Sequence, residues 1–334
     1  MRSFFVLLCI FFSSVKLYAQ QQISSLPIPF NQYMRTYAMI NPASNGSYAK
    51  TEVSVGNQRH GANWSNINTF YFNGCIRLSK DRKTAVKANV PNFEEDTLSE
   101  YEEEEDTVMQ YSDLSNNYHV AGINLTGDKE GTFLNRTGVY AIYAWHTHLS
   151  ERLMLSAGTS LGVKNYSVGD NYINGGGSAF APDGSIGLWL YNADFHFGAS
   201  ANQLFNGKLK PIGETTVLTR QYNITAGKLI PLNHFLSIKP SFLVSVAKQN
   251  PVSANITIGS LWQDVFSATI NYKFKNGLTY LIGLEKVRIG DSYVKMMFSY
   301  YVPVGQFHQL NINTYEITLN YFFKQNSREH VIFQ

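Results

Sequence analysis

Hydrophobic and polar residues alternate with a period of two along most of the chain after residue 50. In the last strong segment, Tyr315, Ile317 and Leu319 fall on one face, while Glu316 and Thr318 fall on the other. Such alternation predicts β-strands that have one apolar and one polar face. The pattern predicts about fourteen strands, near residues 50–61, 69–79, 118–129, 135–149, 151–168, 185–192, 194–205, 219–231, 234–248, 252–263, 265–275, 277–288, 292–303 and 313–324.

The lengths of these strands and of their connections favour a transmembrane β-barrel. Most strands are near the roughly ten residues that a tilted membrane strand needs. Connections at 148–152, 191–194, 231–234 and 263–265 are tight, whereas 169–184 and 206–218 are long and rich in glycine and proline. With both termini in the periplasm, every tight turn falls on the periplasmic side and both long loops fall outside, as in outer-membrane barrels. A secreted β-sandwich, with its apolar face turned inward, is the alternative.

The inward and outward faces of the predicted strands give rise to two further expectations. Aromatic residues toward predicted strand ends suit the girdles of a membrane barrel; they are Trp145, Trp189, Trp262, Tyr321 and Phe323. Five lysines assigned to the inward face would attract anions to the lumen or pair with acids there; they are Lys164, Lys228, Lys239, Lys273 and Lys295.

The N-terminus has the layout of a cleaved secretory signal. Arg2 precedes a short apolar core over residues 4–12, and a small residue, Ala19, ends the more polar segment that follows. The core is shorter than the roughly 18 to 20 residues of a membrane helix. Removing residues 1–19 takes away Arg2 and Lys16 and lowers the formal net charge from +3 by 2, to +1. This balance gives no indication of a nucleic-acid partner, and Cys75 as the single remaining cysteine excludes an intrachain disulfide.

These observations predict an all-β protein of the Gram-negative outer membrane. Its parts are a signal peptide, 1–19, with cleavage near Ala19; an N-terminal segment, 20–49, that is a plug or is periplasmic; a barrel, 50–324; and a C-terminal tail, 325–334. The barrel is a transmembrane antiparallel β-barrel of about fourteen strands.

One connection, residues 80–117, is long, lies on the periplasmic side and is strongly acidic. Its densest part is Glu102, Glu103, Glu104, Glu105 and Asp106. Like charges repel one another, so the simplest interpretation is a solvated loop. Docking to a basic periplasmic partner, or weak calcium binding, are the functional alternatives.

No grouping of residues predicts catalysis or a cofactor. His146 and His148 point to the same side of one predicted strand and could seat a metal with a third ligand, but polar filling of the lumen is the commoner role. Residues 174–177 (NGGG) open no strand-to-helix unit, so they do not predict a phosphate-binding loop. We therefore expect no enzyme, cofactor or metal, and a barrel hydrolase is the weakest of the alternatives.

Residues 30–46 (FNQYMRTYAMINPASNG) resemble the N-terminal signature of the PorP/SprF family of type IX secretion system membrane proteins. The matching residues include Gln32, Tyr33, Asn41, Pro42, Ala43 and Gly46. The family usually has an aromatic and a small residue where this chain has Ser44 and Asn45. Further matches run in order through 122–131, 182–187, 220–242 and 314–323, so the resemblance covers nearly the whole mature chain.

The resemblance implies an outer-membrane barrel that supports export or surface attachment of cargo, including gliding adhesins in some members. It implies as partners the type IX machinery, a secreted cargo protein and outer-membrane lipids, and it implies no catalytic residues. The matching residues of 30–46 are then candidates for plugging the barrel or docking a partner, because proline fixes φ and biases the residue before it toward extended geometry. A merely ordered N-terminal tail is the alternative for this segment, and an outer-membrane channel or transporter is the alternative function.

Overall fold

The computed structural model describes residues 30–61, 67–78, 117–131, 134–150, 152–169, 176–212, 214–248, 250–304 and 313–323. The predicted signal peptide, the acidic residues 102–106 and the predicted tail 325–334 lie outside these ranges. The strands are β1 Thr51–His60, β2 Asn68–Arg77, β3 Tyr118–Glu130, β4 Leu134–Ser150, β5 Leu153–Val168, β6 Gly177–Tyr191, β7 Phe195–Asn202, β8 Lys208–Ile212, β9 Glu214–Val217, β10 Gln221–Lys228, β11 Ile230–Asn233, β12 Leu236–Ala247, β13 Ser253–Trp262, β14 Phe266–Lys273, β15 Gly277–Ile289, β16 Ser292–Pro303 and β17 Thr314–Phe322.

These strands form a closed antiparallel barrel. Strands β8 and β9 form a separate hairpin; the other strands pair in order around the barrel, with β10 joining β7 to β12 and β1 pairing with β17. Strands β10 and β11 are separated only by Leu229 and both pair with β12, so they act as one barrel strand. Within the described residues the barrel therefore has fourteen strands, as the alternation predicts. Closure leaves no row of unpaired backbone groups, which is a condition for crossing a bilayer with strands.

The barrel is apolar outside and polar inside. Along β17, Ile317 is 50% exposed on the outer face, whereas Glu316 and Thr318 on the inner face are each 1% exposed. The same alternation holds on β13, where Ile256 and Ile258 face outward. This arrangement is the reverse of a soluble β-sandwich and suits a wall that faces lipid. In the described residues there is no helix with the length and apolarity that spanning a membrane requires.

The two ends of the barrel differ in their connections. Five connections of two or three residues lie at one end, here called the turn end: 151–152, 192–194, 234–235, 263–265 and 290–291. The acidic connection between β2 and β3 starts and finishes at this end too. The opposite end, here called the loop end, carries the connections at 61–67, 131–133, 169–176, 203–220, 248–252, 274–276 and 304–313. The four predicted tight turns all lie at the turn end, together with a fifth at 290–291, although two connections at the loop end, 131–133 and 274–276, are also only three residues long.

The structure corrects the two predicted long loops. Strand β6 begins at Gly177 rather than near 185, and the predicted loop 206–218 contains the hairpin β8–β9. Glycine and proline hid the first half of β6, because both are poor strand formers. Pro182 pairs with Val163 on β5, but β7 pairs only with residues 186–191 of β6. One side of Pro182 therefore has no neighbouring barrel strand, and a proline is tolerated at such an edge position.

Candidate functional site

The segment 30–50 enters the barrel as a short, irregular chain. It contains a 3-10 turn, Tyr33–Arg35, one turn of α-helix, Tyr37–Ile40, and a second 3-10 turn, Pro42–Ser44. Asn41 is extended (φ −137°, ψ 109°), as expected for a residue before proline. Its side-chain Oδ1 accepts a hydrogen bond of 3.0 Å from the Ala43 N–H and so caps the second 3-10 turn.

This segment is a plug, defined here as residues 30–49, that lies in the lumen. Most of its side chains are buried, and its contacts reach strands from β2 around the barrel to β17. The contacts show the path of the segment. Residues 46–49 lie near the turn end, beside the start of β3, and Asn31 lies nearer the loop end, beside Glu316 and Asn271. Residues 30–49 of the predicted N-terminal segment 20–49 thus lie inside the barrel; that the segment closes it stays a prediction.

The first anchor of the plug is Gln32, which is fully buried. Its Nε2 donates to Ser299 Oγ (3.1 Å) and to the Glu316 carbonyl (3.0 Å), and its Oε1 accepts from Thr318 Oγ1 (2.7 Å). Every polar atom of this side chain is thus matched by β16 and β17, as burial of an amide requires.

Tyr33 reaches another part of the barrel wall. Its hydroxyl lies 2.9 Å from Ser241 Oγ on β12. Burial raises the pKa of the Tyr33 phenol, so the hydroxyl stays protonated and neutral.

Arg35 makes the ionic contact of the plug. It pairs with Glu285 of β15, and Lys239 Nζ of β12 lies 3.1 Å from the same carboxylate oxygen. The Glu285 side chain is 1% exposed, so the carboxylate is held entirely by its neighbours. A buried charge of this kind is tolerated only when it is paired, which ties the position of Arg35 to that of the wall.

The Asn41-Pro42-Ala43 step lies against two glycines of the wall. A Cβ built on Gly158 would lie 2.4 Å from the Ala43 nitrogen, and one built on Gly187 would lie 1.9 Å from Asn41 Oδ1. These distances exclude any side chain at either glycine while the plug is in place. Asn41 Nδ2 also donates to the Leu188 carbonyl at 2.9 Å.

The last anchor surrounds Gly46. Arg77 Nε and the Tyr118 hydroxyl both donate to the Gly46 carbonyl, at 3.0 and 3.2 Å. Gly46 has φ +74°, and an added Cβ would lie 2.5 Å from Val120. Glycine is therefore required at this position both for its backbone conformation and for space.

His146, considered above as a metal ligand, binds the plug instead. Its Nε2 lies 2.9 Å from the Asn45 carbonyl, which can only accept, so Nε2 carries the proton and Nδ1 accepts from Tyr191 OH (2.8 Å). In the described part of the chain no group of three His, Cys, Asp or Glu residues is placed to hold a metal.

Trp189 is not part of a membrane girdle, which corrects the sequence-based expectation. It is buried inside the lumen, stacked on His196 and tilted against Tyr37 of the plug. The parity of β6 carries the signal that was missed, because Ile186 and Leu188 face outward and odd-numbered residues therefore face the lumen. Trp145, Trp262 and Phe323 do face outward.

The lysines predicted to face the lumen divide into two sets. Lys164, Lys239, Lys273 and Lys295 are buried or half-buried on inward positions. Lys228 is exposed and shares its parity on β10 with outward-facing Tyr222 and Ile224, so its inward assignment is wrong. The sequence pattern predicts one regular strand here and does not indicate the break between β10 and β11 beside Lys228.

The wall residues that hold the plug were not predicted. Glu285, Ser299 and Tyr118 lie far from the motif in sequence and carry no local signal beyond being polar residues or aromatics on strands. Only the closure of the barrel brings them against residues 30–49.

Comparison with known proteins gives one family. The family model described as type IX secretion system membrane protein PorP/SprF matches residues 22–321. No curated protein matches the chain.

Solved structures with a similar fold are outer-membrane barrels of low sequence identity. The Pseudomonas putida toluene transporter TodX shares 11% identity, with a TM-score of 0.44, over 85% of this chain and 91% of that chain. The CymD monoaromatic hydrocarbon channel shares 10%, with a TM-score of 0.48, over 86% and 91%. The translocator domain of the autotransporter NalP from Neisseria meningitidis shares 10%, with a TM-score of 0.40, over 87% and 95%. All three TM-scores are below 0.5, so the fold described above rests on the strand pairing of this chain alone.

Proposed function

The chain belongs to the PorP/SprF family of type IX secretion system membrane proteins, and we propose that this outer-membrane barrel supports the export or surface attachment of secreted cargo such as adhesins. In this proposal it works with other components of the type IX machinery and with a cargo protein. The proposal assigns no catalytic residue and no cofactor.

The observation that carries the proposal is the plug. Residues 30–49 occupy the lumen from the turn end to the level of Glu316 and are held by hydrogen bonds, by the Arg35–Glu285 ion pair and by glycines that leave them space. A passive pore needs a clear lumen, whereas a barrel that presents or retains other proteins does not. The residues that carry the family resemblance, Gln32 and Asn41 among them, are those that fix the plug.

The two ends of the barrel suit two kinds of contact. We place the turn end in the periplasm and the loop end outside, following the usual design of outer-membrane barrels. The acidic residues 102–106 belong to the connection that starts and finishes at the turn end, so a basic periplasmic component is the complementary partner for them. Cargo would then meet the loop end.

The alternative function is a general or substrate-selective channel. The polar inward face of the barrel favours it, because such a lining would carry polar solutes if the plug moved. The two functions differ in what they require of the plug: the channel must release it, and the secretion component need not.

The test uses the native host with the gene deleted and restored. Intact cells are shaved with trypsin, and the released surface proteins are quantified by mass spectrometry, for the deletion, the wild-type complement and a complement lacking residues 30–46. We expect the deletion to lose a defined subset of surface proteins and the wild type to restore it. A complement carrying Gly74→Ala, a position where an added Cβ meets only ordinary contacts, is the matched control.

An unchanged surface proteome in the deletion strain would refute the secretion function. Pull-down of the tagged barrel from gently solubilised outer membranes adds an independent readout, since type IX components or the missing cargo should be recovered with it. N-terminal sequencing of the same material tests cleavage after Ala19.

A further inference from the structure

A cavity lies above the plug, toward the loop end of the barrel. Its floor is formed by residues of the plug, including Phe30, Tyr33 and Met39. On one side the hairpin β8–β9 packs onto the inner face of β4 to β6: Leu209 and Leu218 are fully buried with Tyr166. The cavity, here called the upper chamber, is thus bounded by the plug below.

The wall of the upper chamber on β2 to β6 pairs most of its charged side chains with one another. Arg136 pairs with Asp128 and with Glu130, Thr69 donates to Asp128 (2.6 Å), and the Tyr140 hydroxyl donates to Asp183 (2.9 Å). Lys164 of β5 also lines this wall; Asp183 is its nearby counter-charge, but the described residues show no ion pair or hydrogen bond between the two.

The opposite wall is a strip of amide side chains that ends in a lysine. Inward residues on successive strands β7, β10, β12, β13 and β14 line it: Asn202, Gln221, Asn223, Ser245, Asn255 and Lys273. Backbone pairing places Asn202 opposite Gln221 and Asn255 opposite Lys273, so the strip is continuous across the sheet.

Several polar atoms of this strip have no partner. Gln203, the residue after Asn202, is 2% exposed, and neither its Nε2 nor its Oε1 makes a hydrogen bond. Asn202 Oδ1 and, on the plug, Asn31 Nδ2 are likewise buried without a partner. Within the described residues the structure shows no ion pair or hydrogen bond for the Lys273 ammonium. Buried polar atoms are normally paired. A wall with unpaired donors, acceptors and a cation is therefore suited to a ligand that supplies their hydrogen-bond partners.

The lumen already shows what such side chains bind. Asn271 Nδ2 donates to the Asn31 carbonyl (3.2 Å), Asn124 Nδ2 to the Ala38 carbonyl (3.2 Å) and Ser200 Oγ to the Ile40 carbonyl (2.7 Å). Amide and hydroxyl side chains on the inner face of the barrel therefore bind the main chain of an irregular peptide, the plug. The unmatched amides of the upper chamber continue the same surface toward the loop end.

We infer that the upper chamber is a peptide-binding site that holds a main-chain segment of a second polypeptide bearing a carboxylate. Main-chain N–H and C=O groups match the unmatched acceptors and donors of Gln203 and Asn202, and the carboxylate pairs with Lys273. The segment enters from the loop end, because the plug occupies the other. This inference deepens the proposed function and rests on it, since the bound segment would belong to the cargo.

The competing occupant is the stretch of this chain that precedes Phe30. Residues 20–29 (QQQISSLPIP) would supply main-chain groups but contain no acidic side chain. Charge complementarity to Lys273 thus favours a second polypeptide.

The test places the photoreactive residue p-benzoylphenylalanine at Gln221 in the native host. The neighbouring residue Tyr222, 52% exposed on the outer wall, is the matched control position. After irradiation of intact cells, the tagged barrel is purified under denaturing conditions and its adducts are mapped by mass spectrometry. Heat-modifiable gel mobility confirms that each variant is a folded barrel.

We expect the probe at position 221, and not at 222, to capture a peptide of a second protein that contains an acidic residue or a free C-terminus. Lys273→Gln should lower the yield about tenfold, the loss of one charge-assisted hydrogen bond. Lys248→Gln, at an exposed lysine of the same end, should leave the yield unchanged.

Adducts to residues 20–29, to lipid or saccharide only, or no adduct at all, would overturn the inference. So would a yield that does not depend on Lys273. These outcomes leave the proposed function standing if the deletion strain still loses surface proteins, whereas an unchanged surface proteome refutes the proposed function whatever the probe captures.

Discussion

At the scale of single residues, the wall and the plug are fitted to each other through charge and through space. Glu285 receives Arg35 from the plug and Lys239 from the neighbouring wall. Gly158 and Gly187 leave room for the main chain and the amide of the plug where any side chain would collide with them. Glu285 and Gly158 each give a substitution that tests this fit.

Glu285→Gln should destabilise the folded barrel. The change leaves two buried cations without their counter-charge, and losing one partner of a buried ion pair costs about 3–5 kcal/mol. Urea titration of the detergent-solubilised barrel, followed by gel mobility, measures the loss. Asp291→Asn, at an exposed turn, is the control and should change stability by less than about 0.5 kcal/mol; an equal effect of the two changes would show that the Arg35 contact is not formed.

Gly158→Ala should displace the plug and leave the barrel folded. The new methyl would lie 2.4 Å from the Ala43 nitrogen and 2.6 Å from its Cα, and overpacking of this kind costs about 1–3 kcal/mol. Limited proteolysis should therefore cleave within residues 30–49 faster than in the wild type. Gly74→Ala, whose added methyl would come no closer than 3.4 Å to its neighbours, should be cleaved like the wild type. Protection of the plug in both variants would mean that it does not rest on β5.

At the scale of elements, the strands and their coverings obey different rules. The barrel strands follow the two-residue alternation closely, because lipid lies on one side of every strand and the polar lumen on the other. The hairpin β8–β9 has neither environment. It is held by a separate apolar cluster in which Leu209 and Leu218 pack against the inner face of β4 to β6.

Replacing Leu209 and Leu218 together by serine should release the hairpin and not the barrel. Large-to-small changes at fully buried apolar positions cost about 2–5 kcal/mol each, and this cluster is separate from the one around the plug. In intact cells, added protease should then cut within 206–218, while heat-modifiable mobility of the barrel stays unchanged. Lys210→Ser, exposed on the same strand, is the control. Failure of the protease to reach the released hairpin would place the loop end in the periplasm.

At the scale of the whole molecule, a closed wall and a plug predict a barrel that conducts little. The family of the chain assigns it to the type IX secretion system, and the plug separates this assignment from the channel alternative. Planar bilayer recording tests this separation directly.

The wild-type barrel should show little or no conductance, and a variant lacking residues 30–46 should form open pores. The reason is that the deleted residues occupy the lumen from the level of Glu316 to that of Val120. Gly158→Ala is expected to show intermediate, flickering conductance. A wild-type barrel as conductive as the deletion variant would favour the channel function.

The barrel wall could be predicted from the amino-acid sequence. The alternation predicted about fourteen strands, most with ends within two or three residues of those observed. It could do so because each strand has lipid on one side and the polar lumen on the other, and its side chains alternate accordingly. The sequence also predicted tight turns that all lie at the turn end. Residues such as Gln32 and Asn41 indicated the family. The exceptions were local too: the glycines and Pro182 of β6 weaken the strand signal in a region where pairing with β5 supplies what propensity lacks.

The contents of the lumen, in contrast, depend on tertiary contacts. Whether 30–49 entered the lumen or stayed outside depended on groups brought together from opposite sides of the barrel, such as Ser299, Glu285 and Tyr118, none of which is near the segment in sequence. The same holds for Trp189, whose predicted place in a girdle gave way to a stack against Tyr37 and His196. A strand reports the environment of its two faces in its own sequence, whereas a plug is specified by contacts that exist only after the barrel has closed.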